Sequence, residues 1–189
     1  MQEILVSIDP GLVNLGFCVL ELGSERVVQA RRIVLFETQS GFKRAGEQSI
    51  IQSLYLNLFV PNAKQFRAAK IVLVERQMKR TFIIIQYCIA MFCRENDIPF
   101  MFVDPKVVKR ALNTSVKKST SRCKATNPSK GDSRGNYRLN KKKATALAKK
   151  LYPELFSETG EKQDDIADSI LQGVWYSRHV KSEEVIVIY

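Results

Sequence analysis

Twice in this chain a largely apolar run ends on a carboxylate. KIVLVERQ (Lys70–Gln77) carries four consecutive aliphatic residues before Glu75, and EILVSID (Glu3–Asp9) runs into Asp9 just ahead of Pro10 and Gly11. Apolar residues on successive rather than alternate positions mark a strand covered on both faces. Each run therefore requires helices on either side of a sheet. A carboxylate at the end of such a strand is costly to bury unless something compensates its charge. If the two strands are parallel neighbours, Asp9 and Glu75 emerge at the same end of one sheet.

The remaining pattern fits that arrangement. LGFCVLEL (Leu15–Leu22) and the RVVQARRIVLF run ending at Phe36 add two strands through short turns, making an antiparallel meander with the first. Gln48–Val60 has helical apolar spacing and Pro61 closes it; Thr81–Asn96 is a helix apolar almost all round. IPFMFVDP (Ile98–Pro105) reads as a fifth strand, with Pro105 opening the helix KVVKRAL. Helical spacing returns at KKKATALAKKLYPELF and again from Asp164 to Arg178. This order predicts an α/β fold, a mixed five-stranded sheet flanked by helices, in a single domain over residues 1–189. From Asn113 to Asn140 the composition turns to Ser, Thr, Lys, Asn and Gly, which predicts a loop that orders on binding or a basic loop insertion, and not a core element.

The charge is concentrated. Of a formal net charge of +11, the segment Lys106–Lys150 carries fifteen Lys and Arg against one acid, Asp132, so it holds +14 and the remainder −3. Such a block is suited to phosphates, whose neutralisation releases condensed counterions. The candidate contacts are Lys117, Lys118, Arg122, Lys124, Lys130, Arg134, Arg138, Lys141, Lys142 and Lys143. A solvated basic loop without a fixed ligand is the alternative. The four cysteines form no CxxC pair and His179 is the sole histidine, which argues against a zinc site. The longest apolar stretch, Thr81–Cys93, is shorter than the roughly 20 residues of a membrane span. MQEILVSIDPG leads straight into a strand with no signal-peptide pattern, so the expected setting is intracellular, without a membrane partner.

A second acidic group lies at KQDDIADSILQG (162–173), where Asp164, Asp165 and Asp168 open an amphipathic helix. Asp165 and Asp168 are three apart and Asp164 and Asp168 four apart, so spacing does not choose between the pairs. Each acid has a plain alternative: Asp9 as a turn residue, Glu75 paired with Arg76 or Lys79, Asp164 as a helix N-cap. Jointly they pose a conflict, because four clustered carboxylates repel one another without cations between them. Hard divalent ions bound through oxygen resolve it, and a pair of them can activate water against a phosphodiester. Gly11 and Gly16 either let a phosphate approach the backbone or serve as turn glycines.

SIDPGLVNLG, VERQ and DDIADSILQG, in this order and spacing, resemble the three acidic motifs of RuvC-type Holliday junction resolvases, closest to those of poxviruses and other large DNA viruses. The resemblance implies a ribonuclease H-like fold, a homodimer, and paired nicking of four-way DNA junctions with two magnesium ions per site, manganese substituting. A viral DNA replication site inside a host cell is the location it implies. By motif, Asp9, Glu75, Asp165 and Asp168 would be the metal ligands and catalytic acids. Among Lys141, Lys142 and Lys143, Lys142 is taken as the assisting catalytic lysine. Two rivals remain: a related nuclease for RNA–DNA hybrids or other branched DNA, and a basic nucleic-acid binder without catalysis.

Overall fold

The two apolar runs lie side by side. In a computed structural model, which describes residues 2–38, 46–114, 131–156 and 163–180 (131–137 as backbone only), they form β1 (Ile4–Asp9) and β4 (Ala69–Glu75), paired in parallel with Ile8 opposite Val74. β2 (Leu15–Glu21) and β3 (Val27–Ile33) complete the antiparallel meander on one side of β1, and β5 (Phe100–Val103) pairs in parallel with β4 on the other. The sheet order is β3-β2-β1-β4-β5. The mixed five-stranded α/β sheet expected from the sequence is the one observed.

Alternation along the strands divides the core into two layers. Val72 and Val74 join Val6, Ile8 and Phe17 on one face, whereas Ile71 and Leu73 join Leu5 and Leu20 on the other. The first face is covered by α1 (Gln48–Leu54), α2 (Ala63–Ala68) and α3 (Arg80–Glu95) through Ile50, Leu54, Phe66, Ile85 and Ile89. The second is covered by α4 (Pro105–Ala111), α5 (Gly131–Leu151) and α6 (Asp164–His179) through Val108, Ala144, Ala148, Ile170 and Val174. Both faces of β4 are thus dry, and burying each such aliphatic side chain is worth about 1.5–3 kcal/mol.

Local differences from the sequence reading have physical causes. The helix expected over Gln48–Val60 changes hydrogen-bond pattern after Leu54 and ends in a π-helical turn, Tyr55–Phe59. α2 is an added short helix with one buried apolar residue, Phe66, held edge-on against Phe59 and Phe92; a single aromatic has no periodicity to read. Of the loop expected over 113–140, residues 115–130 lie outside the described residues, and 131–140 are helical, part of α5 ten residues before the apolar spacing resumes. Extending a helix costs far less than nucleating one, so a polar segment can continue a helix that packing has established further on.

Candidate active site

Parallel pairing places the ends of β1 and β4 at one edge of the sheet. With Ile8 opposite Val74, Asp9 and Glu75 are the next residues out on adjacent strands. α6 crosses over this edge and adds Asp165 and Asp168 to the same cleft, of about 500 Å³. Asp168 is buried. A closely packed glycine makes this crossing possible. Gly16 pairs with Asp9 across β1 and β2, and a Cβ on it would sit 2.1 Å from the Asp165 carbonyl oxygen. Here the glycine serves helix-on-strand contact rather than phosphate approach. Gly11 is likewise a turn glycine, since a Cβ there would meet the Asn14 carbonyl oxygen at 2.1 Å. Further along α6, Gln172 Nε2 donates to Ser7 Oγ at 3.1 Å from a fully buried position, locking the helix to β1.

The electrostatics of the cleft are those of acids short of counter-charge. Burial first, then the charges of Glu75, Asp168 and Asp165, push the Asp9 carboxyl well above its usual range. Glu75 is pushed up to about 7, by burial and then by Asp168, against the opposing pull of Lys109, Gln77 and Lys141. Burial also raises Asp165 and Asp168. Among the described residues no three acids, cysteines or histidines stand close enough to form a ready-made metal cage. The carboxylates share the cleft without closing into a ligand set. The donor set nonetheless fits hard divalent cations, being all oxygen and held at raised proton affinity, and bound cations would relieve the mutual repulsion.

Asp164 and Asp165 separate by environment. Asp165 lines the cleft; Asp164 does not, and its side chain accepts from Lys141 Nζ at 2.6 Å. Burial pushes the Asp164 carboxyl up, but the hydrogen bond and charge of Lys141 outweigh it, leaving it below the usual range. Nor is Asp164 a helix cap: Gln163 holds that position, and Asp164 starts the helix. Lys141 Nζ also reaches Asp165 Oδ1 at 3.3 Å.

The structure sets Lys141 beside the acids, rather than the Lys142 expected as assisting lysine. Lys141 lines the cleft, whereas Lys142 and Lys143 are exposed. Successive helical residues are about 100° apart, so at most one of three can face the acids. Among the described side chains of α5, Ala144 and Ala148 are the buried ones, and Lys141 precedes Ala144 by three, on the same face. That signal was present in the sequence. Of the other basic candidates, Arg138 is exposed on α5, Arg134 lies on α5 with its side chain undescribed, and Lys117, Lys118, Arg122, Lys124 and Lys130 fall outside the described residues.

Three residues of the site were not singled out by sequence. Lys109 lines the cleft and draws down the proton affinity of both Glu75 and Asp168. It sits there because the Asp104 side chain accepts from Lys106 N at 2.8 Å, capping α4 directly after β5, one turn before Lys109. Gln77 Nε2 donates to Glu75 Oε1 at 3.1 Å and, at a longer 3.4 Å, to Asp9 Oδ1. Gln86, buried on α3, accepts from Gln77 N at 2.7 Å.

No protein-family model and no curated protein sequence matches this chain. Among solved structures, it is similar to Thermus thermophilus RuvC in complex with a Holliday junction substrate, at 15% identity and a TM-score of 0.59, over 93% of this chain and 95% of that one. It is also similar to the fowlpox virus resolvase in complex with its substrate Holliday junction DNA, at 17% identity and a TM-score of 0.55, over 92% and 96% of the two chains. At such identities the likeness is one of fold: the ribonuclease H-like fold of the RuvC and poxvirus resolvases, as the motif resemblance implied.

Proposed function

We propose that this chain is a nuclease that resolves four-way DNA junctions by divalent-cation-dependent phosphodiester hydrolysis. The observation that carries the reading is the convergence of Asp9, Glu75, Asp165 and Asp168, from three separate elements, on one cleft. Asp9, Glu75, Asp165 and Asp168 would hold two magnesium ions, or manganese in their place. Bound there, such ions neutralise phosphate charge and lower the pKa of water. Lys141 and Lys109 line the same cleft as the acids and would receive the negative charge that builds on the scissile phosphate. Lys141 also keeps Asp164 ionised and turned away from the cleft, so that Asp165 is the acid left to serve. The basic candidates between Lys117 and Lys143 in the sequence would supply contacts to the phosphate backbone that position the junction without reading its sequence.

A four-way junction has approximate two-fold symmetry, which favours a two-fold dimer for opposed cuts. An apolar groove supports that arrangement. Ile51 and Tyr55 from the α1 end, with Ile84, Tyr87 and Met91 from α3, line it, and Ile51, Tyr55, Tyr87 and Met91 are each more than half exposed. α3 thus buries its Ile85–Ile89–Cys93 face in the chain and offers the opposite one to a second copy.

Purified protein with magnesium, challenged side by side with labelled four-way junction, duplex and RNA–DNA hybrid, tests the reading. Junction is expected to be cut in preference, and Glu75→Gln to bind junction without cutting it. Equal cutting of all three substrates would replace junction selectivity with a general nuclease. Full nicking by Glu75→Gln would remove the acids from the chemistry, and no cutting by the wild-type protein would leave a binder.

A further inference from the structure

We infer that Gln77 is a positioning residue of the cation site, its side-chain amide spanning Asp9 and Glu75, with Gln86 fixing its backbone. The inference rests on the nuclease reading above and concerns the protein before any substrate arrives. Two carboxylates at the ends of adjacent strands repel each other and, with no further constraint, would rotate apart into the cleft. The Gln77 side chain offers two N–H donors on one nitrogen and satisfies one oxygen of each acid, Glu75 Oε1 at 3.1 Å and Asp9 Oδ1 at 3.4 Å. A neutral donor does this without competing with a cation for charge, as a lysine would. The amide leaves the other oxygen of each carboxylate, Glu75 Oε2 and Asp9 Oδ2, without a bond from Gln77.

The amide must itself be held. Gln77 follows the last residue of β4 by two, outside the sheet's hydrogen-bond ladder. Its backbone N–H instead donates to Gln86 Oε1 at 2.7 Å, and Gln86 is almost fully buried on the inner face of α3. A buried amide oxygen without this partner would carry the full cost of desolvation. The pair therefore ties the acid edge of the sheet to α3, and outer partners of this kind usually change cation affinity about 10–100-fold when lost.

The test is calorimetric titration of Mn2+ into the DNA-free protein, comparing wild type with Gln77→Leu, which has no donor, and Gln86→Met. Thermal melting is followed in parallel in EDTA. Gln77→Leu is expected to bind Mn2+ about tenfold or more weakly. Gln86→Met should shift Mn2+ affinity in the same direction by less. Wild-type Mn2+ affinity in Gln77→Leu, or a lowered melting temperature as its sole effect, overturns the inference and leaves the nuclease reading standing. A wild-type protein that binds no Mn2+ overturns both.

Discussion

In the absence of cations, ionised Glu75 should destabilise the protein it sits in. Burial and the Asp168 charge hold its carboxyl at about 7, against 4.5 in a free chain. The sign follows from which state keeps the proton. Between these two values the folded protein binds it and the unfolded chain does not, so folding stability is greatest below about pH 4.5 and falls as pH rises through about 7. At about 1.4 kcal/mol per pH unit the interval amounts to about 3 kcal/mol, an upper figure because water in the open cleft screens the charge. Glu75→Gln keeps the shape and still accepts from Gln77, but does not ionise. In EDTA at pH 8 the variant should therefore be more stable than wild type by up to about 3 kcal/mol, about 6–12 °C in a chain of this size. Asp9 adds to the effect, because Glu75's charge is among the causes that raise it. At pH 5 the gain should shrink to under about 1 kcal/mol, and saturating Mg2+ at pH 8 should narrow it by stabilising the wild type more than the variant. Urea denaturation at both pH values, with EDTA or Mg2+, provides the measurement. A gain of the same size at pH 5 and pH 8 would show that ionisation is not its source. No gain at pH 8 in EDTA would mean that the carboxylates are not in the conflict described.

Three further outcomes follow from the same geometry. Lys141→Met should slow single-turnover junction cleavage about 10²–10³-fold, as removal of one charge-stabilising donor does, while Lys142→Met, on the exposed face of α5, should slow it little; the reverse order would reinstate Lys142. Junction affinity should fall steeply with salt, and removing residues 115–130, with their five Lys and Arg, should flatten the log–log slope by up to about 4 units; an unchanged slope would place the phosphate contacts elsewhere. Tyr87→Lys combined with Met91→Lys should convert a dimer to a monomer in sedimentation velocity, and a wild-type protein that sediments as a monomer at micromolar concentration would refute the groove as an interface.

Much of the architecture could be read from local pattern. Consecutive aliphatic residues at Ile71–Val74 forced a strand covered on both faces, and acids closing two such runs predicted a carboxylate edge; a repeat of two or a run of apolar positions is set by neighbours in the chain. Asp9, Glu75, Asp165 and Asp168 were named from motif order, and the structure brings all four to one cleft. The choice of Lys141 over Lys142 was also present, in the Ala144–Ala148 spacing, but needed the inward face of α5 to be identified first.

What the chain alone could not decide concerns residues whose roles depend on distant partners. Asp164 and Asp165 are chemically identical neighbours, and it is Lys141, over twenty residues away, that draws one aside. Gly16 reads as a turn residue until α6 is laid against it. Gln77, Gln86 and Lys109 carry no periodic signal, because their partners lie on other elements. Sequence determines which side chains alternate, cap or cluster along a segment. Which carboxylate meets which amine or amide across the sheet edge is settled only when packing of the two helical layers brings those segments together.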